Sequence, residues 1–187
     1  MISTAVFDLE TSGLEGDHGI ILCGCIKSSI DGRMHTIRTD DTNKKWKRGL
    51  RGDDRVTAKQ IAEILAKHDV LVAHNGNFFD LPYLRTRLLR WGLPRLPEVK
   101  LVDPWRIARN KLRLKSNSLG NIANYVGIKQ EKTPLHMSVW VDATFNGSRK
   151  AMNTIVEHCQ KDVVVLEGVL NMVKPYIKIL DDKGSGL

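Results

Sequence analysis

Apolar and β-branched residues cluster in short stretches over residues 2–8, 19–27 and 33–38, a pattern that predicts three strands. Ile30-Asp31-Gly32-Arg33 separates the last two, and Asp-Gly is a strong hairpin signal, so the chain is expected to open as an antiparallel meander. The periodicity then changes. Ile61, Ile64 and Leu65 recur at helical spacing behind Thr57, a suitable N-cap, and this helix should close near His68. Residues 70–74 read as a fourth strand. Phe79 or Asp80 opens a helix that reaches Trp91 and is stopped by Gly92 and Pro94. Residues 99–102 read as a fifth strand, Asp103-Pro104 caps a short helix, and 118–126 is helical up to Gly127. Residues 128–147 look irregular, with one turn around 138–144. A long helix follows over about 148–173, with Pro175 beyond it. Strands first, then strands alternating with helices, give an α/β domain. Its sheet is mixed and five-stranded: three antiparallel strands, then two reached by crossovers, with helices alongside. Residues 1–176 are expected to form this domain and 177–187 a flexible tail.

The 187 residues are enough for one full core. The net charge of +8 changes the picture more than the length does, because it favours polyanionic partners. No apolar run approaches a membrane span, and Asp8 and Glu10 interrupt the first one, which argues against a signal peptide. An intracellular, cytoplasmic protein is expected. Cys23, Cys25 and Cys159 are too few for a disulfide framework, Cys23-Gly24-Cys25 is not a zinc spacing, and all three read as buried thiols. Basic residues without intervening acids concentrate at 43–51, 81–95 and 105–115; the last ranks highest as a phosphate-contacting segment, through Arg106 and Arg109. Trp46 is the candidate exposed aromatic, and Trp91, Trp105 and Trp140 are assigned to the core.

Four acids stand out against this background: Asp8 and Glu10, then Asp80, then Asp162. Each follows or interrupts an apolar run, where a carboxylate is costly unless compensated. Asp8 and Glu10 are two apart on a strand and so face one side. Asp80 sits at a predicted helix start, where an ionised carboxylate is favoured. His158 and Asp162 are four apart on a helix and share a face. Hard oxygen ligands of this kind point to Mg2+ or Mn2+. Asp103, followed by proline, reads as a helix N-cap and is left out of the set.

The segments Phe7-Asp8-Leu9-Glu10-Thr11, His74-Asn75 through Phe79-Asp80, and His158 through Val163 together resemble the three motifs of the DnaQ-like, or DEDD, 3′–5′ exonucleases of the ribonuclease H-like fold. Leu101-Val102-Asp103 and the Ser118-Leu119 segment resemble that family's middle region, so the likeness extends from Val6 to about Pro175. It implies a ribonuclease H-like sheet and two divalent ions held by Asp8, Glu10, Asp80 and Asp162. It also implies hydrolysis of single-stranded nucleic acid from the 3′ end to 5′-mononucleotides, with DNA favoured over RNA. By the same resemblance Thr11, Ser12 and Leu14 would contact the terminal nucleotide, and Asn75 and Phe79 belong to the second motif's substrate side. One family branch carries Tyr four residues before the last acid, the other His five before it. This chain has His158 at four and Glu157 at five. Either the helix bends here or His158 occupies the tyrosine's place; in both cases it would orient or deprotonate the attacking water. The protein would act alone or serve a polymerase or another replication or repair protein in trans. A structure-selective endonuclease on the same fold and a non-catalytic nucleic-acid-binding module are the competing readings.

Overall fold

The computed structural model describes residues 2–129 and 135–177; the predicted tail from residue 178 onward lies outside them. The opening meander is β1 (Thr4–Thr11), β2 (Ile21–Ser28) and β3 (Met34–Arg38), antiparallel throughout. Gly32, with φ +68°, supplies the left-handed turn between β2 and β3. β4 (Val70–Val72) and β5 (Lys100–Val102) then join in parallel on the other side of β1. The order β3-β2-β1-β4-β5 is the mixed five-stranded sheet expected from the pattern.

Side-chain parity on β1 divides the core. Ala5, Phe7 and Leu9 face α2 (Arg55–Leu65) and α3 (Asp80–Arg90). Val6 faces α7 (Arg149–Val173), where it joins Leu22, Cys23, Cys25, Val72, Met152, Ile155, Cys159 and Val163. Gly24 lets α2 approach closely, since a Cβ there would stand 2.6 Å from Ile61 Cδ1. A third small core joins α4 (Pro104–Lys111) and α5 (Leu119–Tyr125) to the C-terminal half of α7 through Ala108, Ile122, Ala123, Val169 and Val173. No helix among the described residues is long and apolar enough to cross a membrane.

Several local expectations change. Thr57 is not a cap: α2 starts two residues earlier, behind Asp54, and the Thr57 hydroxyl is buried against those of Thr39 and Thr42 at 2.7 and 2.6 Å. Those threonines bound α1 (Thr39–Thr42), a short helix with no apolar periodicity to announce it. The stretch read as irregular with one turn contains α6 (Met137–Val141) and a π-type turn, Asp142–Asn146, ended by Gly147 in the left-handed region. Trp46 is buried, 2 % exposed, whereas Trp91, Trp105 and Trp140 are only half-buried, the reverse of the expected assignment.

Arg87, read from its basic neighbours as a possible phosphate contact, is buried as well. It forks onto Asp54 at 2.9 and 2.7 Å, and the same carboxylate accepts from the Ile21 N–H and the Trp91 indole. A carboxylate this buried is held by its donors, so losing one charge strands the other. Arg87→Met should lower unfolding free energy by roughly 3–5 kcal/mol in urea titrations, whereas the exposed Arg85→Met should stay within about 0.5 kcal/mol of wild type. Equal effects of the two changes would contradict the role given to the Asp54 pair.

Candidate active site

β1 outruns its parallel neighbour. β4 pairs only with Thr4, Ala5 and Val6, so the strand's last residues have no partner on that side. The Leu9 N–H is taken instead by the Asp80 carboxylate at 3.1 Å. Asp80 is the first residue of α3, and the helix shows no side-chain N-cap bond. Its side chain therefore reaches across to the strand, placing it beside Asp8 and Glu10, which share the face of β1 turned toward α7.

α7 runs without interruption from Arg149 to Val173. On it His158 Nε2 stands 3.6 Å from Asp162 Oδ2 and 3.9 Å from Glu10 Oε1. The histidine four residues before the last acid thus points toward Glu10 and Asp162 from an unbroken helix. Beneath the acids lies a floor of sulfur. β1–β2 register sets Asp8 opposite Cys25 and Glu10 opposite Cys23, and Cys159 of α7 covers both thiols. The Cys159 thiol donates to the Asp8 main-chain oxygen at 3.4 Å.

Burial and mutual repulsion dominate the electrostatics. Desolvation pushes the Asp8 carboxyl well above its usual range, and Asp80, Glu10 and Asp162 push it further. Glu10 is raised to about 8 by burial, then by Asp162 and Asp80; the Trp140 side chain of α6 partly offsets this. Asp80 is raised to about 7, again mainly by burial, against the opposing hydrogen bond from Leu9. Burial raises Asp162 too, and His158 works against it. Among the described residues no three acid, histidine or cysteine side chains are drawn close enough to ligate one ion as they stand. The donor chemistry nonetheless fits a hard cation: four oxygen-bearing groups, Asp80 buried and the other three half-buried, mutually repelling and poorly supplied with protein donors.

The other candidate residues are distributed around this centre. The Thr11 hydroxyl donates to the Gly13 carbonyl at 2.8 Å, and Ser12 Oγ accepts from the Ile20 N–H at 2.9 Å, so both shape the loop after β1. Leu14 is 80 % exposed at its tip. Ser12, Leu14, His18, Arg51, Thr144 and Phe145 line a cleft of about 560 Å³ that opens beside that loop. Arg51 belongs to the basic segment 43–51 read as a possible phosphate contact, whereas sequence reasoning missed Phe145. Arg51 lies in a basic run and donates to the Phe145 and Asn146 carbonyls at 2.7 and 3.2 Å, a pairing 94 residues apart that no local pattern signals. Phe145 is 72 % exposed, an aromatic left in water on a polar turn, and that is a readable signal.

Asn75 has φ +61°, and its N–H donates to Asp103 Oδ1 at 2.9 Å. Asp103 also accepts from the Trp105 N–H at 3.0 Å, and is the N-cap that its proline neighbour implied. Phe79 packs on Tyr83, with ring centres 5.7 Å apart. Arg106 and Arg109 are exposed on α4.

Comparison with known proteins places this architecture. A DNA polymerase III PolC-type of Ureaplasma parvum is 40 % identical over 70 residues, covering 37 % of this chain and 5 % of that protein. A DNA polymerase of Archaeoglobus fulgidus is 29 % identical over 115 residues, covering 51 % of this chain and 14 % of its own length. This chain therefore spans only a small part of the polymerases it matches. The family B DNA polymerase of Pyrobaculum calidifontis superposes with a TM-score of 0.72 over 94 % of this chain and 25 % of that one, at 20 % identity, a likeness of fold. The family model of the RNase H superfamily matches residues 5–174, a span that takes in all five strands and all four acids, and the chain belongs to that superfamily.

Proposed function

We propose that this protein is a metal-dependent 3′–5′ exonuclease that shortens single-stranded nucleic acid and releases 5′-mononucleotides. The observation that carries the reading is the convergence of four carboxylates, from β1, α3 and α7, on one half-buried site whose acids are costly to ionise. Asp8, Glu10, Asp80 and Asp162 would hold two divalent ions, Mg2+ or Mn2+. Ions bound there supply an acidified water and positive charge for the phosphate and the leaving oxygen. The chain's own groups do the rest. His158, within 4 Å of both Glu10 and Asp162, would orient the attacking water and accept its proton. Leu14 and Ser12, on the rim of the cleft, would seat the terminal nucleotide. The DNA polymerases among the relatives support DNA as the preferred strand and a polymerase as a partner in trans.

Two measurements test this. On 5′-labelled single-stranded DNA with Mn2+, wild type should give a ladder shrinking from the 3′ end, while a circular single strand stays intact. Asp162→Asn should abolish the ladder, and His158→Ala should slow it by roughly a hundredfold or more. Cleavage of the circle would favour the endonuclease, and binding without cleavage the non-catalytic module.

The second concerns stability. Glu10 and Asp80 titrate higher in the fold than in the open chain, so between about pH 4.5 and pH 8 the native state binds more protons and loses stability as pH rises. In EDTA, Glu10→Gln should melt with wild type near pH 5 and above it, by ~3 °C or more, near pH 8.5. Mn2+ should raise the melting temperature of wild type more than that of the variant. Parallel melting curves across the pH range would refute the electrostatic account.

A further inference from the structure

A second group of aromatic and cationic side chains lies on the β5 side of the acids. β1, β4 and β5 run parallel, so their C-terminal ends open on one rim of the sheet. Past β4 on that rim, Phe78 is 67 % exposed, two residues before Asp80. Its ring meets that of Trp105 edge-on, with centres 5.9 Å apart and planes at 71°. Arg109, one helical turn further along α4, lays its guanidinium over the Trp105 ring at 5.0 Å. A single exposed hydrophobic residue is ordinary. Here three side chains from two elements are assembled into one surface.

The assembly is fixed to the acids. Asp103 accepts from the Trp105 N–H and, with the same oxygen, from the Asn75 N–H, which clamps the start of α4 to the β4–α3 loop. The Phe78 N–H donates to the Asn75 carbonyl at 3.0 Å within that loop. The platform therefore moves with the segment that delivers Asp80.

Its charge is one-sided. Residues 104–129 contain Arg106, Arg109, Lys111, Arg113, Lys115 and Lys129 and no Asp or Glu, and all six cations are exposed. An acidic protein surface would use the cations but gives an open phenyl face nothing to stack on. A nucleic-acid strand presents bases and phosphates together, at the spacing of a few ångströms over which these groups alternate.

We propose that Phe78, propped by Trp105 and Arg109, is a stacking subsite for a base of the single strand upstream of its 3′ end, with Arg106 and the cations of 109–115 tracking the adjoining phosphates. The assignment rests on the nuclease reading for the strand's polarity, while binding itself does not depend on hydrolysis. The subsite should make affinity grow with strand length beyond what the cleft beside Leu14 can hold.

The test measures binding of 5′-fluorescein oligothymidylates, from about two to about ten nucleotides, by anisotropy in EDTA, where no cleavage runs. Wild-type affinity should rise with length. In Phe78→Ala and in Trp105→Ala that rise should shrink by roughly tenfold. The loss in Phe78→Ala should persist at about 0.5 M salt, whereas that in Arg106→Ala should fade, because phosphate contacts are screened and stacking is not. Phe78→Leu, which keeps bulk without a π face, should behave as the alanine variant does. Melting curves of each variant identify any that fail to fold, and Phe78→Leu then carries the comparison. Length dependence unchanged in Phe78→Ala and Phe78→Leu would overturn the subsite. Hydrolysis of the p-nitrophenyl ester of thymidine 5′-monophosphate by wild type in Mn2+ separates the two readings. If the ester is cleaved but affinity does not rise with length, the platform fails and the nuclease stands. If affinity rises with length and the ester is not cleaved, the nuclease fails and the platform stands.

Discussion

Everything around the centre of this protein answers to one cost: four carboxylates, one buried and three half-buried, held where each repels the others. Alternation along β1 creates the problem, because the face that carries Val6 into the α7 core carries Asp8 and Glu10 with it. The fold limits the cost at few points. The Asp80 side chain finds a backbone donor only because β4 is too short to pair with Leu9. His158 stands between Glu10 and Asp162. The remaining repulsion is what a divalent cation would relieve, so the same arrangement that weakens the bare fold would favour such an ion.

Much of the frame was legible because it is written in local physics. Strand parity, the Asp31-Gly32 turn, Asp103 as an N-cap and Gly127 as a stop all act within a few residues of themselves. The elements that escaped are settled by distant partners. Asp54 precedes α2 and looks like a surface acid, yet it spends its oxygens on Ile21, Arg87 and Trp91. Trp46 sits among lysines and is buried all the same, because the core beside Ala143 and Met152 claims its ring.

The candidate site shows the same division. That the four acids would meet was readable from their order and spacing. The direction of His158 was not, because Tyr-like spacing and His-like identity pulled apart until the continuous α7 placed the ring. The thiols were readable as buried but not as neighbours of the acids. That would have needed the β1–β2 register, which pairs Asp8 with Cys25 and Glu10 with Cys23.

This sulfur layer divides the centre into two rigid halves. The spacing of His158 from Asp162 is inherited from the pitch of one helix, and that of Asp8 from Glu10 from the rise of one strand. The gap between helix and strand has no such origin: it is set by the side chains packed between α7 and the sheet, Cys23, Cys25 and Cys159 among them. Sequence drift in that layer is therefore a tuning screw. A lineage that swaps these small residues for larger ones would shift His158 and Asp162 relative to Asp8 and Glu10, and one that keeps them small would preserve their spacing.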